Sequence, residues 1–367
     1  MVTVKLLEIL TMIESKFPRI DIIIPCYHAH KLLPRALGSV IAQTYVDNVD
    51  VTLVNDCCDE GDYSDIVKSF SPFVSIREIK NPKNVGPGPA RQNGLESTSN
   101  PLVMFIDHDD SLAGAFCLEL MVKKLFEEPG YHSVFANFLE ENQKGVYVTH
   151  QMDTVWLFSK LYMREFLNKY NIKFHKTSNA NEDNGFNMMV KLCSNEREKI
   201  KFIPDICYYW HSRPDSITRR DNCNYSYNDS FTGYVENMIY SISESELRNP
   251  FNGAIALTKV NVLCNLYEYF IETVARDPRY VDQNFKACLD YYTQIYRPIK
   301  DKITDQVLAD NYSEVMRNAC GGGKMMGIIP VMGIKEWLAK LEEDYQKNLN
   351  KPSDKKEEVK EVELVKE

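Results

Sequence analysis

The chain has 367 residues, 44% of them hydrophobic and 26% charged, which is enough for a catalytic domain with an accessory one and enough apolar content for a real core. A formal net charge of -9 argues against a broad polyanion-binding face, because nonspecific nucleic-acid affinity rests on neutralising phosphates with Lys and Arg. Ten cysteines scattered along the chain without a C-x-x-C pair read as reduced, mostly buried thiols, not as a disulfide framework or a structural zinc site.

Residues 1–18 read as an N-terminal helix, with Leu6, Leu7, Leu10 and Ile13 at helical spacing and Pro18 closing it. Arg19 to Pro25 is a short apolar strand ended by proline, and Lys31 to Thr44 a helix with Leu33, Leu37, Val40 and Ile41 on one side. Further strands are predicted at Val51 to Asn55, Val74 to Ile79 and Leu102 to Ile106, with helices at Ser64 to Ser69 and Pro89 to Thr98 between them. This alternation implies an α/β fold with a mainly parallel sheet covered on both faces. Strand-like stretches then fall at Ser133 to Leu139 and Lys201 to Tyr209, and helical ones at Val155 to Tyr170 and Gly185 to Cys193. From 226 to 346 the periodicity is helical, an accessory region for acceptor binding or homo-oligomerisation; the charged residues 347–367 read as a disordered tail. No stretch approaches the length of an apolar spanning helix and no secretory signal pattern opens the chain, so the expectation is a cytoplasmic protein with room for peripheral membrane association.

In such sheets ligands bind beyond the carboxyl ends of the strands, and those positions here are polar. Asp107-His108-Asp109-Asp110 follows a buried-type strand, and three acids this close repel one another unless a divalent cation bridging a diphosphate relieves them. The all-oxygen character suits Mg²⁺ or Mn²⁺. The plain alternative is an acidic turn in which Asp110 or Ser111 caps a helix. Gly86 to Arg91 only superficially resembles a dinucleotide fingerprint, since Arg91 occupies the third glycine's place and two prolines remove amide donors. Glu182 and Asp183 precede a helix, where acids also suit the dipole. His28 and His30 read as solvent-facing loop residues.

Four segments in order, IIIPCYHAHKLLPRALGSVIAQT, VTLVNDCCDEG, NVGPGPARQNGLE and LVMFIDHDD, resemble family 2 glycosyltransferases, and the resemblance covers roughly residues 19 to 215. It implies a GT-A domain over 19–225 and a metal-dependent, inverting transfer of a sugar from a nucleotide-diphosphate donor, commonly a UDP-sugar, to a hydroxyl on a glycan or other acceptor. By that resemblance Asp109 holds the metal, with His211 as a further candidate ligand where Arg is frequent in the family. Pro25, Tyr27, Asp56, Arg91, Asp107 and Arg213 bind the donor. Asp183 is the base that takes the acceptor proton, with Glu182 as the fallback or an orienting group. Where the family commonly has D-D-G-S, this chain has Asn55-Asp56-Cys57-Cys58, and Asp56 keeps the place that faces the donor base. Alternatives are a glycosyltransferase acting on modified nucleic-acid bases, which the acidic balance disfavours, and a non-catalytic nucleotide-sugar-binding scaffold.

Overall fold

The computed structural model describes residues 18–142, 145–176, 180–213, 227–323, 325 and 327–350. The helix expected over 1–18 (apart from Pro18), residues 214–226 and the chain beyond residue 350 lie outside these residues.

Strands β1 (Ile20–Cys26), β2 (Val49–Asn55), β3 (Ser75–Lys80) and β4 (Leu102–Phe105) form a parallel block in the order β3-β2-β1-β4. The crossovers carry α1 (Leu33–Ile41), α2 (Ser64–Phe70) and α3 (Pro87–Glu96). Period-two alternation in β1 sends Ile22 and Ile24 to one side, with Leu33, Leu37 and Val40, and Ile23 to the other, with Ala90 and Leu95. Burying each such aliphatic side chain stabilises the fold by about 1.5–3 kcal/mol. Both faces of the sheet are therefore covered, as the apolar runs require.

Beyond β4 the sheet becomes mixed. β8 (Lys160–Met163) runs antiparallel to β4; β6 (Tyr131–Glu141) follows, then β9 (Lys199–Trp210) and the two-residue β5 (Ser111–Leu112), with β7 (Tyr147–His150) paired to β6. The helix expected over Val155 to Tyr170 is corrected: this segment makes β8 and then the short α5 (Arg164–Lys169). Lys160 hid the strand, because its side chain is wholly buried and its Nζ reaches Asp153 at 3.0 Å, so a charged residue occupies an inward position. α4 (Cys117–Leu125) and α6 (Glu182–Cys193) complete the layers, and α7 (Tyr227–Arg248) packs on α6. That packing is close at Gly185, where a Cβ would stand 2.7 Å from Asn237 Oδ1.

The chain divides into two compact units within α8 (Ala254–Arg276), at Val262 and Leu263. The second unit holds the rest of α8 with α9 (Val281–Tyr291), α10 (Asp305–Gly321) and α11 (Ile334–Leu349). Its core is Trp337, fully buried, with the rings of Tyr267 and Phe270 at 5.5 and 6.1 Å. No helix among the described residues is long and apolar enough to cross a membrane. All nine described cysteines are free and seven of them are buried, in line with small apolar packing residues.

Candidate active site at the carboxyl edge of the sheet

β4 ends in the acidic turn. Its shape is fixed from within: Asp110 N–H donates to Asp107 O at 3.1 Å, and Asp107 N–H donates to Tyr208 Oη at 3.1 Å. Tyr208, from β9, donates its own O–H to Asp110 Oδ2 at 2.8 Å, while Asp110 Oδ1 accepts from His211 N–H at 2.9 Å. Burial, with the nearby charges of Asp109 and Asp107 adding to it, pushes the Asp110 carboxyl well above the usual range. The turn leads into β5 and not into a helix, so Asp110 and Ser111 are not helix caps. Oxygens of Asp107, Asp109 and Asp110 all lie within 4.8 Å of one another. Asp109 Oδ2 lies 2.8 Å from Arg213 Nε, and its backbone carbonyl accepts from Arg35. His108 points away, with Nδ1 at 3.2 Å from Pro25 O.

β2 delivers Asp56, which is almost wholly buried. Its Oδ1 accepts from Asn81 Nδ2 at 2.8 Å and Val85 N–H at 2.9 Å, and its Oδ2 from Gly86 N–H at 2.9 Å. An ionised carboxylate offers about four lone-pair sites, so one on Oδ2 stays open to a further donor. The same bonds fix the entry to α3, which starts with Pro87 after Gly86 at φ 85°, a left-handed value suited to glycine. Farther along, Gly94 lets α3 approach Ile23 and Val54 where a Cβ would collide, and this close seat carries Arg91 over the end of β4.

Arg91 joins the two halves of the site. Buried itself, it donates through Nη1 to Glu182 Oε1 at 2.7 Å and through Nη2 to Asp107 Oδ1. Burial pulls its pKa down, but Asp107 and Glu182 more than offset this, so the guanidinium stays charged. Glu182 and Asp183 open α6 behind Asn181, a left-handed residue at φ 59° whose amide is tied to Ser230 O at 3.0 Å. Asp183, unlike Glu182, forms no ion pair among the described residues. Surrounding protein, and then the charge of Glu182, raise its pKa to about 8 against the pull of Arg91. The residue as a whole is half-buried.

The expected residues are thus gathered on one edge: Asp107, Asp109, Arg91, Glu182, Asp183 and Arg213 in one connected set, with Asp56 at the neighbouring strand exit. Pro25, next to last in β1, offers its carbonyl oxygen to His108, and Tyr27 is 43% exposed as an open ring. His211 does not join the carboxylate group; its Nε2 meets Ser111 Oγ at 2.7 Å and its Nδ1 faces Glu141 at 3.6 Å. Sequence reasoning gave no role to Tyr208, Arg35 or Asn81. Their polar tips serve residues 25 to 101 positions away, so no local pattern marks them. A separate concavity lined by Pro101, Met163 and Arg164 lies where β4 begins, at the opposite end from Asp107.

Residues 21–190 match the family model described as glycosyl transferase family 2. The glycosyltransferase GlyA of Streptococcus pneumoniae is 25% identical over 225 residues, 55% of this chain and 32% of GlyA. The uncharacterized glycosyltransferase EpsJ of Bacillus subtilis is 22% identical over 227 residues, 55% of this chain and 63% of EpsJ. The chain thus spans less than two thirds of either relative. Among solved structures, that of S. aureus TarS 1–349 in complex with UDP-GlcNAc is similar with a TM-score of 0.63 and 18% identity, over 83% of this chain and 92% of that one. This likeness establishes the fold: a GT-A-type mixed, mainly parallel sheet flanked by helices, with a helical region after it.

Proposed function

We propose that the chain, whose residues 21–190 match the glycosyl transferase family 2 model, moves a sugar from a nucleotide-diphosphate donor of the uridine class to an acceptor hydroxyl on a glycan or polymer, with inversion at the anomeric carbon. The observation that carries this reading is the Arg91 bridge, which ties the acidic turn after β4 to the acids that open α6. Asp183 takes the proton of the acceptor hydroxyl as that oxygen bonds to the anomeric carbon, and the bond from that carbon to the diphosphate breaks with its electrons leaving on the nucleoside diphosphate. Glu182 is committed to Arg91, which leaves Asp183 as the base. The open lone pair of Asp56 meets the donor base, and the Tyr27 ring offers it a face. TarS, solved with UDP-GlcNAc, supports the uridine class by likeness of fold.

Asp107, Asp109 and Asp110 offer the oxygen donors that suit Mg²⁺ or Mn²⁺, and their mutual approach within 4.8 Å fits one ion. When bound, such an ion offsets the negative charge that develops on the leaving diphosphate. His211 stays with Ser111 and Glu141 and serves to position the loop after β9.

The test is product analysis with a panel of nucleotide sugars. Asp109→Ala is expected to abolish both transfer and donor hydrolysis, and the released product is a nucleoside diphosphate. Pyrophosphate as the product, or full rates in both Asp109→Ala and Asp183→Asn, would overturn the reading.

A further inference from the structure

A second cluster of metal-ligating side chains stands on the loops after β1 and β2, separate from the acidic turn, and does not depend on the donor reading. Cys58 Sγ lies 3.8 Å from His28 Nδ1. His28 Nδ1 lies 3.2 Å from Glu60 Oε1, and His30 Nδ1 lies 3.1 Å from the other oxygen, Oε2. Ligand atoms of His30, Cys58 and Glu60 fall within 4.8 Å of one another. Zinc bond lengths of about 2.0–2.3 Å put neighbouring ligands of a tetrahedral site about 3.3–3.6 Å apart, a spacing these separations bracket. His28 is exposed and His30 half-buried, and both rings face Glu60.

The outer partners are those of ligating imidazoles. His30 Nε2 lies 2.8 Å from the backbone carbonyl of Asp62, which can only accept, so Nε2 carries a proton. In the neutral ring Nδ1 then holds a bare lone pair facing Glu60, two acceptors set against each other unless a cation or an extra proton sits between them. His28 repeats the arrangement, with Nε2 3.5 Å from Asp59 Oδ1 and Nδ1 toward Cys58 and Glu60. Ligating histidines are oriented by such second hydrogen bonds to carbonyls or carboxylates. His30 is also stacked on Tyr63, with ring centroids 4.3 Å apart, and the backbone N–H of His28 donates to Cys58 Sγ at 3.3 Å, which ties the two loops together.

We propose that His30, Cys58 and Glu60, with His28 beside them, form a binding site for one zinc-class divalent cation, pinning the loop after β2 to the loop after β1. A thiolate with an imidazole and a single carboxylate selects a borderline-soft ion over Mg²⁺ or Mn²⁺, so the site is chemically distinct from the all-oxygen turn at Asp107 to Asp110.

The probe is Co²⁺, titrated into the full chain in place of zinc, read by the near-ultraviolet thiolate-to-metal charge-transfer band, and then Zn²⁺ in competition against a chelator. Expected is one equivalent giving the band, its loss in Cys58→Ser, and its retention in Asp109→Ala. His30→Ala and Glu60→Gln, at partly exposed positions, should weaken Zn²⁺ binding by more than the roughly 10- to 100-fold that loss of an outer-shell partner costs. These two variants decide the matter if Cys58→Ser fails to fold by circular dichroism. Absence of the band in wild type, its survival in folded Cys58→Ser, or unchanged Zn²⁺ affinity in both other variants would overturn the proposal.

Discussion

Arg164 and Arg91 are both buried against carboxylates of the same sheet, Arg164 where β1 and β4 begin and Arg91 where β4 ends. Every nitrogen of Arg164 has an acceptor: Nε on Asn100 O at 2.6 Å, Nη1 on Leu95 O at 2.9 Å, and Nη2 on Asp21 Oδ2 and Thr98 Oγ1, each at 2.8 Å. Asp21 is completed by both nitrogens of Asn100, at 2.7 and 2.8 Å. Arg91 faces two carboxylates with a third beside it, and its buried Nε has no acceptor among the described residues. Charge and hydrogen bonding close on themselves at the first end and stay unbalanced at the second. A closed network fixes structure, whereas an open one keeps capacity for a ligand and holds Asp183 away from its ordinary pKa.

The contrast breaks most sharply under isosteric substitution. Asp183→Asn is expected to lower transfer by about 10²- to 10⁴-fold, the usual worth of a positioned base, with donor binding retained. Donor affinity measured beside turnover checks this, and an equal loss of both would make Asp183 a binding residue. At the other end, Asp21→Ala leaves the Arg164 guanidinium buried and uncompensated, so the expected effect is on stability, about 3–5 kcal/mol in denaturant unfolding, with the turnover of folded molecules unchanged. A fall in turnover per folded molecule would show that the two ends are coupled through β1 and β4.

Legibility in the sequence divides in the same way, between local and long-range order. The parallel half was readable because each strand is a contiguous apolar run and each exit a contiguous polar one; Phe105 to Asp110 holds both in six residues. The mixed half was less so, since β5 and β7 have two and four residues and β8 carries a buried lysine whose partner only the fold supplies. Within the site, residue types were visible but pairings were not. Arg91 and Glu182 are 91 positions apart, and nothing in either segment says that this glutamate, and not Asp183, takes the guanidinium. The partners of His28 and His30 were hidden for the same reason, because Glu60 and Cys58 reach them across 30 positions.

The smallest effect expected on turnover is also the one that reads the imbalance most directly. In the proposed role of base Asp183 must be ionised, and its pKa of about 8 leaves it mostly protonated at neutral pH. Transfer under donor-saturating conditions should therefore rise roughly tenfold between pH 7 and pH 9 and level off above the pKa. Stability must run the other way. The folded carboxyl binds its proton more tightly than the unfolded one, whose pKa is near 3.8, so the native state loses stability as pH rises from about 4 through about 8 and carries the whole penalty above that. Asp183→Asn removes the ionisation and should match wild type near pH 4 but exceed it at pH 8 in denaturant midpoint, whereas Asp21→Ala should stay below wild type at both. If Asp183→Asn gains nothing at pH 8, the acid at the head of α6 is as well satisfied as Asp21, and the open edge of the sheet owes its reactivity to the acidic turn alone.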